Sequence, residues 1–441
     1  MKKKKALTLV TIMMLLLSAC SGNNNGKTDT ETPPATTIDP TSTIDLGGRS
    51  IRISAWWDEK PKGETVQEKQ KLEKMAELEQ KYNFKFEFIN VPFGEYKDKF
   101  TTSVLAGEPM ADITRLGFTD AIAPVLNDQL LPLSEFTTPD NDINKEQKLV
   151  MKLPSLGGEE YSFTTPGVGV VGMHYNRDLF KKLGLPDLQE LYNNGEWNWE
   201  KFLEVAKQAT RDTDNDGNTD IYGYSGWPVD EARHFTVANG VTFVDSTTFE
   251  DQSSDPRVIE ALEFLNRLHN VEKVTKIKSG NIMDYNETNT FKDGDVAMSI
   301  QNDWNIGDVS FEIGVVPVPA GPQSDGVHTF ANTALSGWFI PKGVKDPQIV
   351  YQIFEEMQDV PTTEEYVGQN GLESNYHTEG DIQIAREKIN GTGMVSITDD
   401  GIPNYPYYKI LEDIFLNNQS VTATLEKYKA QAQDAVNKLK N

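Results

Sequence analysis

Residues 212–220 read DTDNDGNTD, a spacing suited to holding a hard cation. Asp212, Asp214 and Asp216 alternate, Gly217 follows, and Asp220 closes the run. An EF-hand loop begins this way, with oxygen ligands at positions 1, 3, 5 and 9, Gly at 6 and a backbone carbonyl at 7, here Asn218. Alternating acids wrap their oxygens around one ion and repel each other without it. The run departs from the pattern at position 12, which is Gly223 rather than a bidentate Glu, and Ile221 at position 10 offers no side-chain oxygen. The expectation is a structural Ca2+ on Asp212, Asp214, Asp216, Asn218 and Asp220, completed by water or a distant acid. A metal-free acidic turn is the alternative.

Cys20 is the second candidate for chemistry, and the only cysteine in 441 residues. Lys2 to Lys5 precede an apolar run from Ala6 to Leu17, and Leu17-Ser18-Ala19 leads into the thiol. A positive start, a short apolar core and small residues at a cleavage site define a secretory signal. The run is short of the ~20 residues a membrane span requires. With cysteine at the cut it resembles a bacterial lipoprotein signal, which implies removal of residues 1–19 and lipid on Cys20. No second thiol exists to form an internal disulfide, so stability has to come from packing. Residues 20–48, rich in Asn, Thr, Pro and Asp, read as a disordered tether reaching on the order of 30 Å.

Charge narrows the partners. The net charge is −25 even with the four signal lysines counted. Nucleic acid and anionic lipid are bound through clustered Lys and Arg, so this surface disfavours both. A membrane link then falls to the lipid. The chain beyond the signal exceeds the ~250–300 residues at which one core stops growing, so two lobes are expected.

The elements that must position any site follow from periodicity. Strands are expected at 51–57, 84–88 and 112–116, with helices over 64–82 and 95–106 between them. That alternation implies a parallel α/β sheet binding ligands beyond its strand C-termini. Residues 161–176 read as an extended crossover. Helices follow at 177–183, 199–209, 255–269 and 286–293, then strands at 295–300, 312–316 and 335–340. Helices at 346–358, 380–389, 405–417 and 420–440 finish the chain.

Several segments carry a resemblance to a known family. LAGEPMADITRL, with Pro109 and Asp112, is similar to a turn into the third strand. MHYNRDLFKKLGL from Met173 resembles a crossover ending in Tyr-Asn before a helix. NWEKFLEVAKQAT, FKDGDVAMSIQNDW (Phe291 to Trp304) and GVVPVPAGP (Gly314 to Pro322) follow in order. Together, from about residue 50 to 440, they resemble the extracellular solute-binding proteins, family 1, of carbohydrate ABC transporters. The resemblance implies a two-lobed periplasmic-binding-protein-like α/β fold of type II, each lobe a mostly parallel sheet flanked by helices. The lobes would be 49–168 with 335–370 and 169–334 with 371–441, joined by hinge segments. It also implies a monomer that carries a carbohydrate, expected to be an oligosaccharide, in the cleft to an ABC permease.

Given that family, aromatic rings would stack on sugar C–H faces while carboxylates and amides bond the hydroxyls. The resemblance directs Trp56, Trp57, Trp227, Trp304 and Trp338 to the cleft. Alternation sends Trp56 and Trp57 to opposite faces, one to stack and one to pack, while Trp197 and Trp199 read as structural. Polar candidates are Asp58, Asp120, Asn302 and Asp303, with Tyr376 and His377 weaker. Arg115 could meet a uronate carboxylate, or pair with one of the surplus acids. A surface glycoside hydrolase and a non-sugar binding protein of the same fold stay open. No Gly-x-Ser-x-Gly elbow, His-Glu-x-x-His or phosphate-binding Gly loop supports other enzymes. The five scattered histidines disfavour a zinc carrier.

Overall fold

A computed structural model describes residues 44–136, 159–163, 170–246, 248–307, 309–331, 336–361, 364–366, 368–389 and 393–439. Cys20, the signal, most of the tether and part of the 161–176 crossover therefore lie outside the described residues.

The first sheet is built from β1 (Ser50–Ala55), β2 (Lys85–Asn90) and β3 (Ile113–Gly117), with α1 (Val66–Tyr82) and α2 (Phe93–Leu105) as the crossovers. α1 starts where the Thr65 hydroxyl accepts the Glu68 N–H and the Glu68 carboxylate returns to the Thr65 N–H; it stops at Asn83 in the left-handed region. α3 (Phe118–Leu126) follows β3 without a break. The chain then forms β4 (Val171–Asn176), α4 (Arg177–Leu183), α5 (Leu188–Asn193), α6 (Trp199–Ala209), β5 (Tyr222–Ser225) and α7 (Pro228–Ala238). α8 (Pro256–Asn266), α9 (Tyr285–Thr288), β6 (Val296–Asn302), β7 (Ile313–Val316) and β8 (Ser336–Phe339) come next. α10 (Pro347–Gln358), α11 (Gln369–Asn375), α12 (Glu379–Ile384), α13 (Tyr407–Leu411) and α14 (Val421–Leu439) close the chain.

Strand order is β2-β1-β3-β8 in one sheet and β5-β6-β4-β7 in the other. β1 runs parallel to β2 and β3, and β8 joins antiparallel. The second sheet is mixed where a mostly parallel one is expected: β4 is antiparallel to both neighbours, and only β5 and β6 run parallel. β4 is reached from the first sheet rather than through a β-α-β crossover, so the connection that forces parallel pairing does not act on it. β4 and β7 are buried along their full length, the pattern of strands covered on both faces.

Several elements were hidden from periodicity. α7 is buried on almost every side, so it has no polar stripe to reveal it. α3 carries Pro124 inside an almost wholly apolar segment, and β5 is four residues, YGYS, with no alternation. The helices expected at 255–269, 380–389 and 405–417 each change to a π-turn in their last residues. In the first of these the wider turn carries His269 inward, where its Nε2 lies 2.6 Å from Glu231 Oε2. The helix expected at 286–293 breaks after Thr288, and Asn289 turns its amide to Tyr285 and Gln301.

One buried carboxylate ties the second sheet to its helices. Asp381, fully buried, accepts from Arg177 Nη2 at 2.9 and 3.0 Å, Gln189 Nε2 at 2.6 Å and the Val315 N–H at 2.9 Å. It joins α12, α4, α5 and β7 through a charge whose oxygens are satisfied on several sides.

Candidate functional site

In the first sheet the chain moves from β1 to β2 on one side and to β3 on the other, so the crevice beyond the C-termini of β1 and β3 is a switch point. Trp56 and Trp57 leave the end of β1 there, and Thr119 and Asp120 sit in the first turn of α3. Facing them are the end of β6, the start of β4, and the loop from β5 into α7. A cleft of about 870 Å³ lies between these two sets of residues, within the range of small-molecule sites.

The cleft's walls are aromatic. On one side are half-buried Trp56 and the exposed rings of Trp57 and Phe93; Trp56 makes edge contacts to Trp57 at 4.8 Å and Phe93 at 5.9 Å. On the other are Trp227, Tyr285 and Trp304. Trp227 is fixed by its indole N–H, which donates to the Met283 carbonyl at 2.9 Å, and by an edge contact to Tyr285 at 5.5 Å. Trp304 is 66% exposed, in a short turn after β6. A large ring left this open is free to take a ligand face.

The polar groups are ordered by neighbours. Asp120 Oδ1 pairs with Lys97 Nζ at 2.8 Å. Asn302 ends β6 opposite Val171. Asp303 Oδ1 accepts the Trp304 N–H at 2.9 Å, yet burial outweighs that contact and pushes its carboxyl up to about 6. Arg115 donates to Glu59 Oε1 at 2.9 Å and Ser336 Oγ at 3.0 Å, and its guanidinium lies over Trp57 at 4.5 Å. Of the two readings open for Arg115, the intramolecular ion pair is the one present.

Other cleft residues had no sequence signal. Asn289 donates to Tyr285 Oη at 2.6 Å, Gln301 donates to Asn289 Oδ1 at 2.8 Å, and Asn305 donates to Gln301. This amide chain orients the Tyr285 ring. α7 contributes Asp230, Glu231 and His234 to the lining. Gly226 makes the approach possible, since a Cβ there would come within 2.1 Å of Glu231 Oε1. Polar residues in a buried helix without a stripe gave periodicity nothing to read.

Four candidates fall outside the lining. Trp338 is a correction: it is 4% exposed and packs on Phe354 in the first lobe's core, offering Arg115 its face at 5.0 Å. Tyr376 is also a correction, buried with its hydroxyl 2.8 Å from His174 Nε2 and its ring stacked on that imidazole. Asp58 is exposed, and its carboxylate accepts the Lys60 N–H at 3.2 Å. His377 is exposed and does not line the cleft. Trp197 and Trp199 are buried; the first donates to the Pro317 carbonyl at 2.7 Å and the second stacks on Phe264.

Away from the cleft, Asp212, Asp214 and Asp216 bring carboxylate oxygens within 4.8 Å of one another. Asp212 accepts the Asn215 and Gly217 N–H groups at 2.7 and 2.9 Å, with Gly217 at φ +93°. Asp216 accepts from the Asn218 amide at 3.0 Å, and Asp220 accepts from Thr213 N and Oγ1 at 2.7 and 2.6 Å. Among the described residues no Lys or Arg forms an ion pair with any of the four acids. Converging charge without a counter-charge suits a cation.

Two α/β lobes with a ring-lined cleft between them define a ligand-binding protein of the two-lobed periplasmic class. The chain belongs to the bacterial extracellular solute-binding protein family, whose model matches residues 58–359. An ABC substrate-binding protein from Listeria monocytogenes, in complex with cycloalternan, is similar over 89% of this chain and 98% of its own, at 19% identity and TM-score 0.61. A maltose/maltodextrin-binding domain from Bdellovibrio bacteriovorus, bound to maltotriose, is similar over 88% and 99%, at 17% identity and TM-score 0.58. A Mycobacterium tuberculosis protein in complex with glycerophosphocholine is similar over 88% and 98%, at 16% identity and TM-score 0.59. Comparison with curated protein sequences gives no match. Among the described residues no helix is long and apolar enough to cross a membrane.

Proposed function

We propose that this chain is the capturing component of a carbohydrate ABC importer, taking an oligosaccharide between its lobes and delivering it to a membrane permease. The observation that carries the reading is the set of rings on both walls: Trp56, Trp57 and Phe93 against Trp227, Tyr285 and Trp304. Opposed rings with amides and carboxylates between them match the apolar faces and hydroxyl edges of a sugar. The sugar ligands of the Listeria and Bdellovibrio neighbours support it. One chain supplies both walls, so a monomer suffices. The reaction is capture without turnover.

In the same proposal Cys20 carries the lipid that holds the protein at the outer face of a membrane, and the following tether gives the lobes reach. Ca2+ on Asp212, Asp214, Asp216, Asn218 and Asp220 neutralises the loop between α6 and β5 and staples those elements.

Tryptophan fluorescence of the full chain, titrated with neutral oligosaccharides, tests the reading. A saturable shift with the glycan recovered intact is expected. No response to any glycan would overturn it, and accumulating reducing ends would make the protein a hydrolase. A second reading, a non-sugar solute, is favoured by the Mycobacterium neighbour with glycerophosphocholine; saturation by that compound alone would select it.

A further inference from the structure

We infer that the cleft selects sugars without anionic groups and rejects uronates; this rests on the sugar-binding reading and narrows it. Asp120, Asp230, Glu231, Asp303 and Asp400 all line the cleft, whereas Arg115 is its only lining Lys or Arg among the described residues.

Arg115 is already paired with an anion, the Glu59 carboxylate. A bidentate fork needs Nη2 together with either Nε or Nη1. Nε is given to Ser336, which takes a donor from the side-on fork, and one of the two Nη1 hydrogens goes to Glu59, whose carboxylate at 2.9 Å repels a second anion there. Trp57 and Trp338 lie at its faces, 4.5 and 5.0 Å away. The arginine orients a stacking ring instead of binding substrate.

The cation behind the opposite wall is outnumbered. Arg233 donates to Asp230 at 3.3 Å and to Thr398 at 2.7 Å, with Asp400 at 3.4 Å and Asp399 at 3.7 Å. A single guanidinium thus serves three carboxylates. His234 adds no charge, because its Nδ1 accepts the Ala331 N–H at 3.2 Å and so carries no proton. Among the described residues no cation forms an ion pair with Asp303, and none is among the groups acting on its carboxyl. Sugar hydroxyls can donate to these carboxylates. A uronate would bring another acceptor, and another negative charge, into a partly desolvated acidic space.

The test is calorimetric titration of the full chain with maltotriose, mannobiose, cellobiose and galactobiose, each beside its own C6-oxidised uronate form. The tightest neutral sugar is expected to bind at least tenfold more tightly than its uronate, about 1.4 kcal/mol, with the gap narrowing in high salt. Glu59→Ala, which removes both the acceptor of Arg115 Nη1 and its negative charge, is expected to raise the relative affinity for the uronate at least threefold. A uronate that binds as tightly as its neutral counterpart overturns the inference and leaves sugar binding standing. A gap that ignores salt overturns its electrostatic basis. If neither series binds, the proposed function falls and this inference falls with it.

Discussion

At the scale of single residues, Trp304 and Asp303 are adjacent in sequence and expected to act differently. Trp304 is mostly exposed and supports little of the fold. Trp304→Ala is therefore expected to leave the unfolding midpoint within about 0.5 kcal/mol of the parent while weakening oligosaccharide affinity about tenfold or more. Calorimetry beside chemical denaturation separates the two effects. Asp303 has a carboxyl raised from 3.8 to about 6 by burial. The folded chain holds that proton more tightly than the unfolded one, so this group's penalty is absent below about pH 4 and complete above about pH 6. A sugar hydroxyl donating to the carboxylate favours its ionised form. Affinity is expected to fall as pH drops from 7 through 6 towards 4, and Asp303→Asn to flatten the profile. Affinity that rises on acidification would contradict a carboxylate contact.

At the scale of elements, Asp381→Ala removes the charge that joins α12, α4, α5 and β7. It leaves Arg177 without its shortest ion pair and the Val315 N–H without its acceptor. A loss of about 3–5 kcal/mol is expected from denaturant unfolding; a loss under about 1 kcal/mol would show that the network is not a structural tie. In the acidic loop, chelator is expected to lower the melting temperature and added calcium to restore it. Asp214→Asn with Asp216→Asn should abolish that response. Elements were legible in the sequence where periodicity was clean. The ends of β1, β3 and β6 lie within two residues of expectation, and α4 and α6 agree at both ends. α7 was not legible because a helix buried all round shows no stripe, and with it went Asp230, Glu231 and His234. Trp56, Trp57, Trp227 and Trp304 reach the cleft because each follows the end of a strand or its turn. Trp338 lies within β8 rather than after its end, and its ring is covered by Phe354 in the core. Asp112, noted only as part of a motif, accepts the Arg52 N–H at 2.8 Å, a buried contact that accounts for an acid at that turn.

At the scale of the molecule, the two sheets are unlike and the cleft depends on both. The first is mainly parallel and ends in a switch point; the second is mixed and delivers the end of β6 to the same space. Capture by closure requires both walls to grip one ligand at once. Hydrogen exchange of the full chain, with and without saturating neutral oligosaccharide, tests that claim most directly. Simultaneous protection at residues 55–58 and 117–120 on one wall, and at 226–235 and 300–306 on the other, is the result this account predicts. Protection confined to one wall, or absent from both under saturating ligand, would contradict it.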